Sequence, residues 1–513
     1  MDGGQPGDVR SNADLTEATA GGLRWLTYAR VLIELTLLGG MVVLARLIPP
    51  AAFGMFAVVL IVQELALAMP MEGVGSALVQ RRSIGREHLQ AGLLLSLIVG
   101  AVLAALTLLA APLIVAPAIG EETASLVLLA TPWFLIGAVY SLPCAVLRRN
   151  LDFKRMTILD LTMTSSRAAV SIALAFAGLD AEALVWGNLA GMAITLVLAL
   201  VFAPVPPPRW NGRAIRDLLP YSGPAALACV AWTGFRNGDY AIVGARLGTA
   251  QAGFYYRGYQ LAVEYQKKIS AVMSQMAFPV LARTAGWDEM VALRRRMVQL
   301  LTVVVFPLLA LLVLLAPVVI PWLFGPQWEP AVVPTQILAA GGAATLVIDT
   351  VGSALQAAGR ARALLGYGIA HFVVYAGCVF AIAGHGLVAV SITAAVVHTG
   401  FLVIAYELLL RGRAHNVLRF LWHDVAAATV SCAALLAVAT PVAWLVDDAP
   451  ALLHMAAVIA AAAAAYLSAL RLGFAAAWRD LLAAVRRVVP ARSLIGRVRK
   501  RAPVAAPQLS DPA

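Results

Sequence analysis

Apolar positions dominate this chain in long unbroken runs, and its polar positions gather into short connections between them. An α-helix needs about 20 apolar residues to cross the hydrocarbon of a bilayer. Fourteen runs meet that length, the first over 25–47 and the last over 451–471. A membrane β-barrel would show segments of about 10 residues alternating apolar and polar, and that alternation is absent. The pattern therefore predicts an all-α polytopic membrane protein of about 14 transmembrane helices.

The connections sort into two sets. One contains QRRSIGREH, LRRNLDFKR, PVPPPRWNGRAIRD, ARTAGWDEMVALRRRM, GRAR and RGRAHNVLRFLWHD, followed by an arginine-rich tail. The alternate set reads IPPAA, IGEET, GLDAE, LGTAQ, GPQWEP, AGHG and VDDAP, flanked by Arg46 and Arg246. Lys and Arg are retained on the cytoplasmic side of a membrane. The separation predicts an even number of spans in the bacterial inner membrane with both termini cytoplasmic.

Composition agrees with membrane embedding. The 513 residues are 61% hydrophobic and 13% charged, whereas a soluble domain is roughly 45–50% apolar and about 25% charged. The formal charge of +11 is spread across every inner connection, as topology demands, and not gathered on one soluble face as nucleic-acid binding would require. The N-terminal stretch is polar and glycine-rich with no apolar signal-peptide core, and is expected to be a disordered tail. Cys144, Cys229, Cys378 and Cys432 lie far apart within apolar segments. They read as small core hydrophobes, with no metal or redox spacing and no cofactor. The segment AAAWRDLLAAVRRVVPARSLIGRVRKR can form an amphipathic helix against anionic lipid, or serve only as a topological anchor.

A repeat organises the spans. VVLARLIPPAAFG joins the first and second, and AIVGARLGTAQAG joins the seventh and eighth. In both, Ala-Arg-Leu closes one run and a glycine opens the next. YSLPCAVLRRN and GSALQAAGR echo each other at a similar offset after the fourth and tenth. Two six-helix lobes of the same orientation would follow, a parallel repeat about an axis along the membrane normal. The expected organisation is a tail over 1–24, lobes over 25–208 and 209–420, two additional spans over 421–472 and a basic tail over 473–513. Such lobes enclose a cavity and can rock about it.

Three stretches, Ala45 to Gly54, Gly73 to Gln80 and Arg236 to Leu261, resemble the polysaccharide transporter family. These are the O-antigen and exopolysaccharide flippases of the multidrug/oligosaccharidyl-lipid/polysaccharide exporter superfamily. The resemblance extends over roughly 25–410. The Phe-Tyr-Tyr after Gly253 and Met55 depart from the family pattern. The resemblance implies alternating access, a polyprenyl-diphosphate-linked oligosaccharide as substrate, and a polysaccharide polymerase or co-polymerase as partner.

Charges within spans are costly, at least about 2.5–3.5 kcal/mol on insertion scales, so each calls for a partner or a wet cavity. Arg30 and Glu34 share a helix face, as do Asp160 and Arg167. Glu64 lies deep in the second span, and Arg236 and Asp239 in the seventh. The eighth carries Arg257, Glu264, Lys267 and Lys268 among Tyr255, Tyr256, Tyr259 and Tyr265. Asp349, His371 and His398 follow in later spans. A diphosphate seeks Arg and Lys, and sugars seek tyrosine and amides. Arg30, Arg236, Arg257, Lys267, Lys268, Tyr256 and Tyr259 are therefore candidates to line the cavity. Glu34, Glu64, Asp160, Arg167, Asp239, Glu264 and Asp349 are candidates for ion pairing or ion coupling. The two histidines read as packed, hydrogen-bonded groups.

Other functions compete. A peptidoglycan-precursor flippase shares the architecture. An exporter of organic cations would favour an acidic cavity, against the cationic excess of the eighth span. A polymerase or ligase would need a long outer loop, and all the outer connections are short, which argues against an enzyme. No GxxxxGK[ST] loop is present, so energy must come from an ion gradient, the membrane potential or the substrate gradient.

Overall fold

The computed structural model describes residues 12–81, 83–264, 266–270, 277, 280–281, 283–284, 286–411 and 416–488. In chain order the principal helices are α1 (Asn12–Leu47), α2 (Pro50–Gln80), α3 (Arg86–Ile119), α4 (Glu121–Arg149), α5 (Phe153–Phe176), α6 (Ala181–Phe202) and α7 (Gly212–Leu247). They continue as α8 (Thr249–Tyr259), α9 (Trp287–Phe324), α10 (Pro326–Ala357), α11 (Ala361–Ile382), α12 (Leu387–Leu410), α13 (Val417–Leu445), α14 (Ala451–Gly473) and α15 (Ala475–Val488). Among the described residues there is no strand, and 12 helices are long and apolar enough to cross a membrane. The expected seventh span lies within α7, which at 36 residues and about 1.5 Å per residue exceeds the bilayer core. The expected eighth begins as α8, passes through a π-helical turn at Gln260–Glu264 and is helical again at 266–270.

Packing divides the described chain into two compact units. One comprises Met1–Glu264, Ala316–Leu338 and Gly368–Val397; the other comprises Tyr265–Leu315, Ala339–Tyr367 and His398–Ala513.

In the first unit the two copies of the repeated motif pack on each other. A Cβ added at Gly54 would fall on the carbonyl oxygen of Thr249 and lie 2.8 Å from the amide nitrogen of Gly253. One added at Gly253 would fall on the carbonyl oxygen of Pro50 and lie 3.2 Å from the nitrogen of Gly54. The contact is reciprocal: Pro50 and Gly54 of α2 stand to Thr249 and Gly253 of α8 as the latter pair stands to the former. Two glycines let the helix backbones approach where no side chain would fit.

The motif arginines are also absorbed. Arg46 donates from its guanidinium to the carbonyls of Leu323 (2.8 Å) and Trp322, which belong to the last turn of α9. A helix C-terminus carries unpaired carbonyls and partial negative charge, so a cation is stabilised there. The carbonyl of Ala45 accepts from Gln327 Nε2 and Trp328 Nε1, each at 2.8 Å. Arg246 lies over the Phe380 ring, 4.6 Å from its centre.

At the basic end of α2, Gln80 donates to the Tyr221 hydroxyl (2.7 Å), and Arg81 bonds both the carbonyl and the carboxylate of Asp217. His88 approaches the same carboxylate at 3.4 Å. The carboxylate is 38% exposed, and such pairs contribute about 0–1 kcal/mol. Asp217→Ala should accordingly shift thermal unfolding of the detergent-solubilised protein by less than about 1 kcal/mol.

The second unit holds a charge network. Arg294 of α9 donates to Asp424 Oδ2 of α13 (2.8 Å) and to the Tyr406 hydroxyl of α12 (2.9 Å), and Tyr406 itself donates to the same carboxylate oxygen (2.8 Å). Arg295 holds the other carboxylate oxygen at 3.0 Å. The Arg294 and Asp424 side chains are 1% and 0% exposed. Arg294 was expected in a connection, and Asp424 at the boundary between a connection and a span. Instead α9 begins at Trp287 and α13 at Val417, which carries both residues into helical packing. Tyr466 of α14 donates to the Val303 carbonyl of α9 (2.7 Å), so α13 and α14 are both fastened to α9.

Candidate functional site

The polar residues of α8 meet those of α2, α5, α7 and α11 inside the first unit. Asp239 of α7 is buried. It accepts from the Tyr255 and Tyr375 hydroxyls, each at 3.0 Å, and from the backbone nitrogen of Tyr240, also at 3.0 Å. The two hydroxyls lie 3.1 Å apart. The Tyr240 ring stands edge-on to Tyr255, Tyr256 and Tyr259, with centres 5.5–6.0 Å away. Burying a carboxylate is costly unless hydrogen bonds replace its water, and the tyrosines do this for Asp239.

Tyr256 is the point where candidates from several spans converge. Arg257, Arg167, Glu264 and Glu64 all act on it electrostatically. Gln260 donates to its hydroxyl (3.2 Å) and accepts from the Arg257 guanidinium (2.8 Å). Arg257 is 3% exposed. Its guanidinium lies 4.1 Å from the centre of the Phe53 ring, 5.3 Å from that of Trp328, 5.6 Å from Phe324 and 5.8 Å from Tyr256. These are cation–π distances. The side chain of a helical residue points back toward the N-terminus, which carries this group from α8 toward the turns at Pro50 and Pro326.

Lys267 and Lys268 belong to the second unit, the former half-buried and the latter exposed. Ser270 donates to Asp349 Oδ2 at 2.6 Å, and the charge of Lys267 acts on the same carboxylate. Nearby, Gln266 donates to Thr345 Oγ1 at 2.7 Å.

Of the other expected pairings, one forms and one is redistributed. Arg30 and Glu34 form their pair at 3.4 Å, with the arginine 61% exposed. Asp160 and Arg167 share a face of α5, but Asp160 has Arg30 and Arg148 as its cationic neighbours and Arg167 has Tyr256. The π turn at Gln260–Glu264 adds a residue to the helical turn, which moves Glu264 off the face it would share with Arg257 in a continuous α-helix. His371 is buried and His398 half-buried. The side chain of Arg236, Tyr265 and the tail beyond Val488 lie outside the described residues. Tyr375 and Trp328 are participants that no charge or motif signals in the sequence, and Phe53 and Gln260 lie in motif stretches without having been singled out.

Long apolar helices that carry a buried carboxylate–tyrosine cluster and an arginine enclosed by rings define a polytopic membrane protein. The chain belongs to the polysaccharide biosynthesis protein family, whose sequence profile matches residues 43–333, more than half its length. It is 25% identical over 361 residues to the lipopolysaccharide biosynthesis protein WzxC of Escherichia coli (strain K12), covering 67% of this chain and 71% of that one. It is 22% identical over 344 residues to an uncharacterized membrane protein in the cps region of Klebsiella pneumoniae, covering 65% and 70%. The fold is similar to that of the lipid II flippase MurJ in an inward closed conformation. There the TM-score is 0.68 at 13% identity, over 89% of this chain and 99% of that one. An inward-facing multidrug transporter of the MATE family, within the MOP superfamily, aligns with a TM-score of 0.58 at 16% identity, over 78% and 96%.

Proposed function

We propose that the chain is a flippase that carries polyprenyl-diphosphate-linked oligosaccharide units across the inner membrane by alternating access. The product would feed lipopolysaccharide, exopolysaccharide or capsule assembly. Membership of the polysaccharide biosynthesis family is the observation that carries the reading. Likeness to WzxC supports it over a peptidoglycan-precursor flippase or a small-molecule exporter. The reciprocal packing of Gly54 and Gly253 supports two lobes related by duplication, and the arginine-rich connections support cytoplasmic termini.

In this reading the chain makes and breaks no covalent bond. Its residues neutralise and hydrate a large anionic headgroup while the lipid tail stays in the bilayer. Lys267 and Lys268 supply compact cations for the diphosphate, and Arg257 a planar one suited to paired phosphate oxygens. Arg30 and Arg167 add positive charge along the path. Tyr256 and Tyr259 offer flat apolar faces with hydroxyl tips to the sugars. Asp239, Glu64, Glu264, Glu34, Asp160 and Asp349 balance these cations or take part in ion coupling. A polymerase or co-polymerase would receive the flipped unit.

Deleting the gene should trap the lipid-linked unit on the inner leaflet. Arg257→Ala combined with Lys268→Ala should cut surface polysaccharide at least about tenfold, a loss of the size expected when charge-assisted phosphate contacts are removed. Membrane abundance of the chain is measured in parallel. Normal surface polysaccharide from the double variant would remove the cationic path.

A further inference from the structure

We propose that Phe53, Arg257, Phe324 and Trp328 form a latch, seated on the Gly54–Gly253 contact, that closes the side of the protein opposite the basic connections. Opening toward that side requires its release. The inference rests on the alternating-access reading and specifies where the cycle is controlled.

Position is the first argument. Phe53 lies in the first turn of α2, Phe324 is the last residue of α9 and Trp328 sits in the turn Pro326–Ala331. All three are therefore at the helix ends remote from the basic connections. They come from both halves of the repeat, so the two halves cannot part at this end while Arg257 keeps all three rings. The rings also hold one another: Trp328 stands edge-on to Phe53 at 5.4 Å, to Phe254 at 6.0 Å and to Phe324 at 6.2 Å. Trp328 is fully buried and anchored to the Ala45 carbonyl, while Gln260 Oε1 accepts a hydrogen bond from the Arg257 guanidinium.

Chemistry is the second argument. A plug made only of apolar side chains would lose its whole burial energy when water entered. A guanidinium regains hydration on exposure, and this offsets the ring contacts it gives up. An arginine in an aromatic enclosure thus brings the closed and open states nearer in free energy than a hydrocarbon plug would. Small differential binding can then shift the balance.

Thiol accessibility tests this without added substrate. Ala57 is 0% exposed and lies one turn along α2 from Phe53 on the same face. Ala57→Cys is placed in a background with Cys144, Cys229, Cys378 and Cys432 replaced by serine, and labelled in intact cells with a membrane-impermeant maleimide. Labelling should be slow with the latch intact. Phe53→Ala and Trp328→Ala should each make it about tenfold faster, the change produced when a minor open state gains a factor of ten in population. Arg257→Gln provides a smaller perturbation should truncating a ring unfold the chain, and the thermal transition of each variant verifies folding. Unchanged labelling in the folded variants, or fast labelling already with the latch intact, would overturn the proposal. Normal polysaccharide export from cells lacking the chain would instead remove the flippase reading and leave the labelling result as it stands.

Discussion

Gly253→Leu should abolish export and destabilise the protein by about 3 kcal/mol or more, at the upper end of overpacking effects. The reason is geometric. The new Cβ meets the Pro50 carbonyl, a backbone atom that no rotamer change can move aside. Either α2 and α8 separate along their first two turns, or α8 rotates and takes Tyr255, Tyr256 and Arg257 out of their contacts. Gly54→Ala should act in the same direction by meeting the Thr249 carbonyl. Combining Gly54→Ala with Gly253→Ala should cost less than the sum, because helices already parted by one methyl accommodate the second. Gly377→Ala is the control. Nothing lies within 4 Å of a Cβ there, and alanine in a helix interior is favoured over glycine by up to about 1 kcal/mol. Thermal unfolding in detergent and surface polysaccharide measured on the same variants would decide the matter. Equal behaviour of Gly253→Leu and Gly377→Ala would mean that the motif glycines do not set the helix approach.

Asp424→Ala should destabilise the protein by about 3–5 kcal/mol, the range for breaking a buried ion pair from one side. Arg294 would be left 1% exposed without the carboxylate that it shares with Tyr406 and Arg295. Replacing both partners with apolar residues, as Arg294→Met with Asp424→Leu, should recover most of that loss, since no charge then remains buried. Glu34→Ala is the comparison: it removes an exposed pair four residues apart on one helix, of the kind that contributes about 0.3–0.5 kcal/mol. Should Asp424→Ala prove as mild as Glu34→Ala, the network does not fasten α13 to α9. The tryptophans provide an intrinsic fluorescence signal for these measurements.

Arg46 and Arg246 show how far residue order alone could lead. As exceptions to an otherwise clean charge separation, they were visible in the sequence, and so was the repeated motif around them. That Arg46 caps α9 was not visible, because the carbonyls it reaches lie 276 and 277 residues away. Arg257 is similar. Its cost within a span was evident, but the rings that surround it are ordinary apolar residues until the chain folds. Arg294 was misread for a different reason. Basic residues near a helix end satisfy topology wherever the helix begins, so the pattern could not separate a loop arginine from one two turns inside α9.

By itself the sequence determined the class: a helical protein of the bilayer, with crossings countable because hydrocarbon demands about 20 apolar residues for each. It also exposed a duplication and the charges that needed explaining. Tertiary structure decided what each charge meets. Solvation cost is a property of one residue in its own segment, whereas its relief comes from side chains and carbonyls that only packing between distant helices brings within reach.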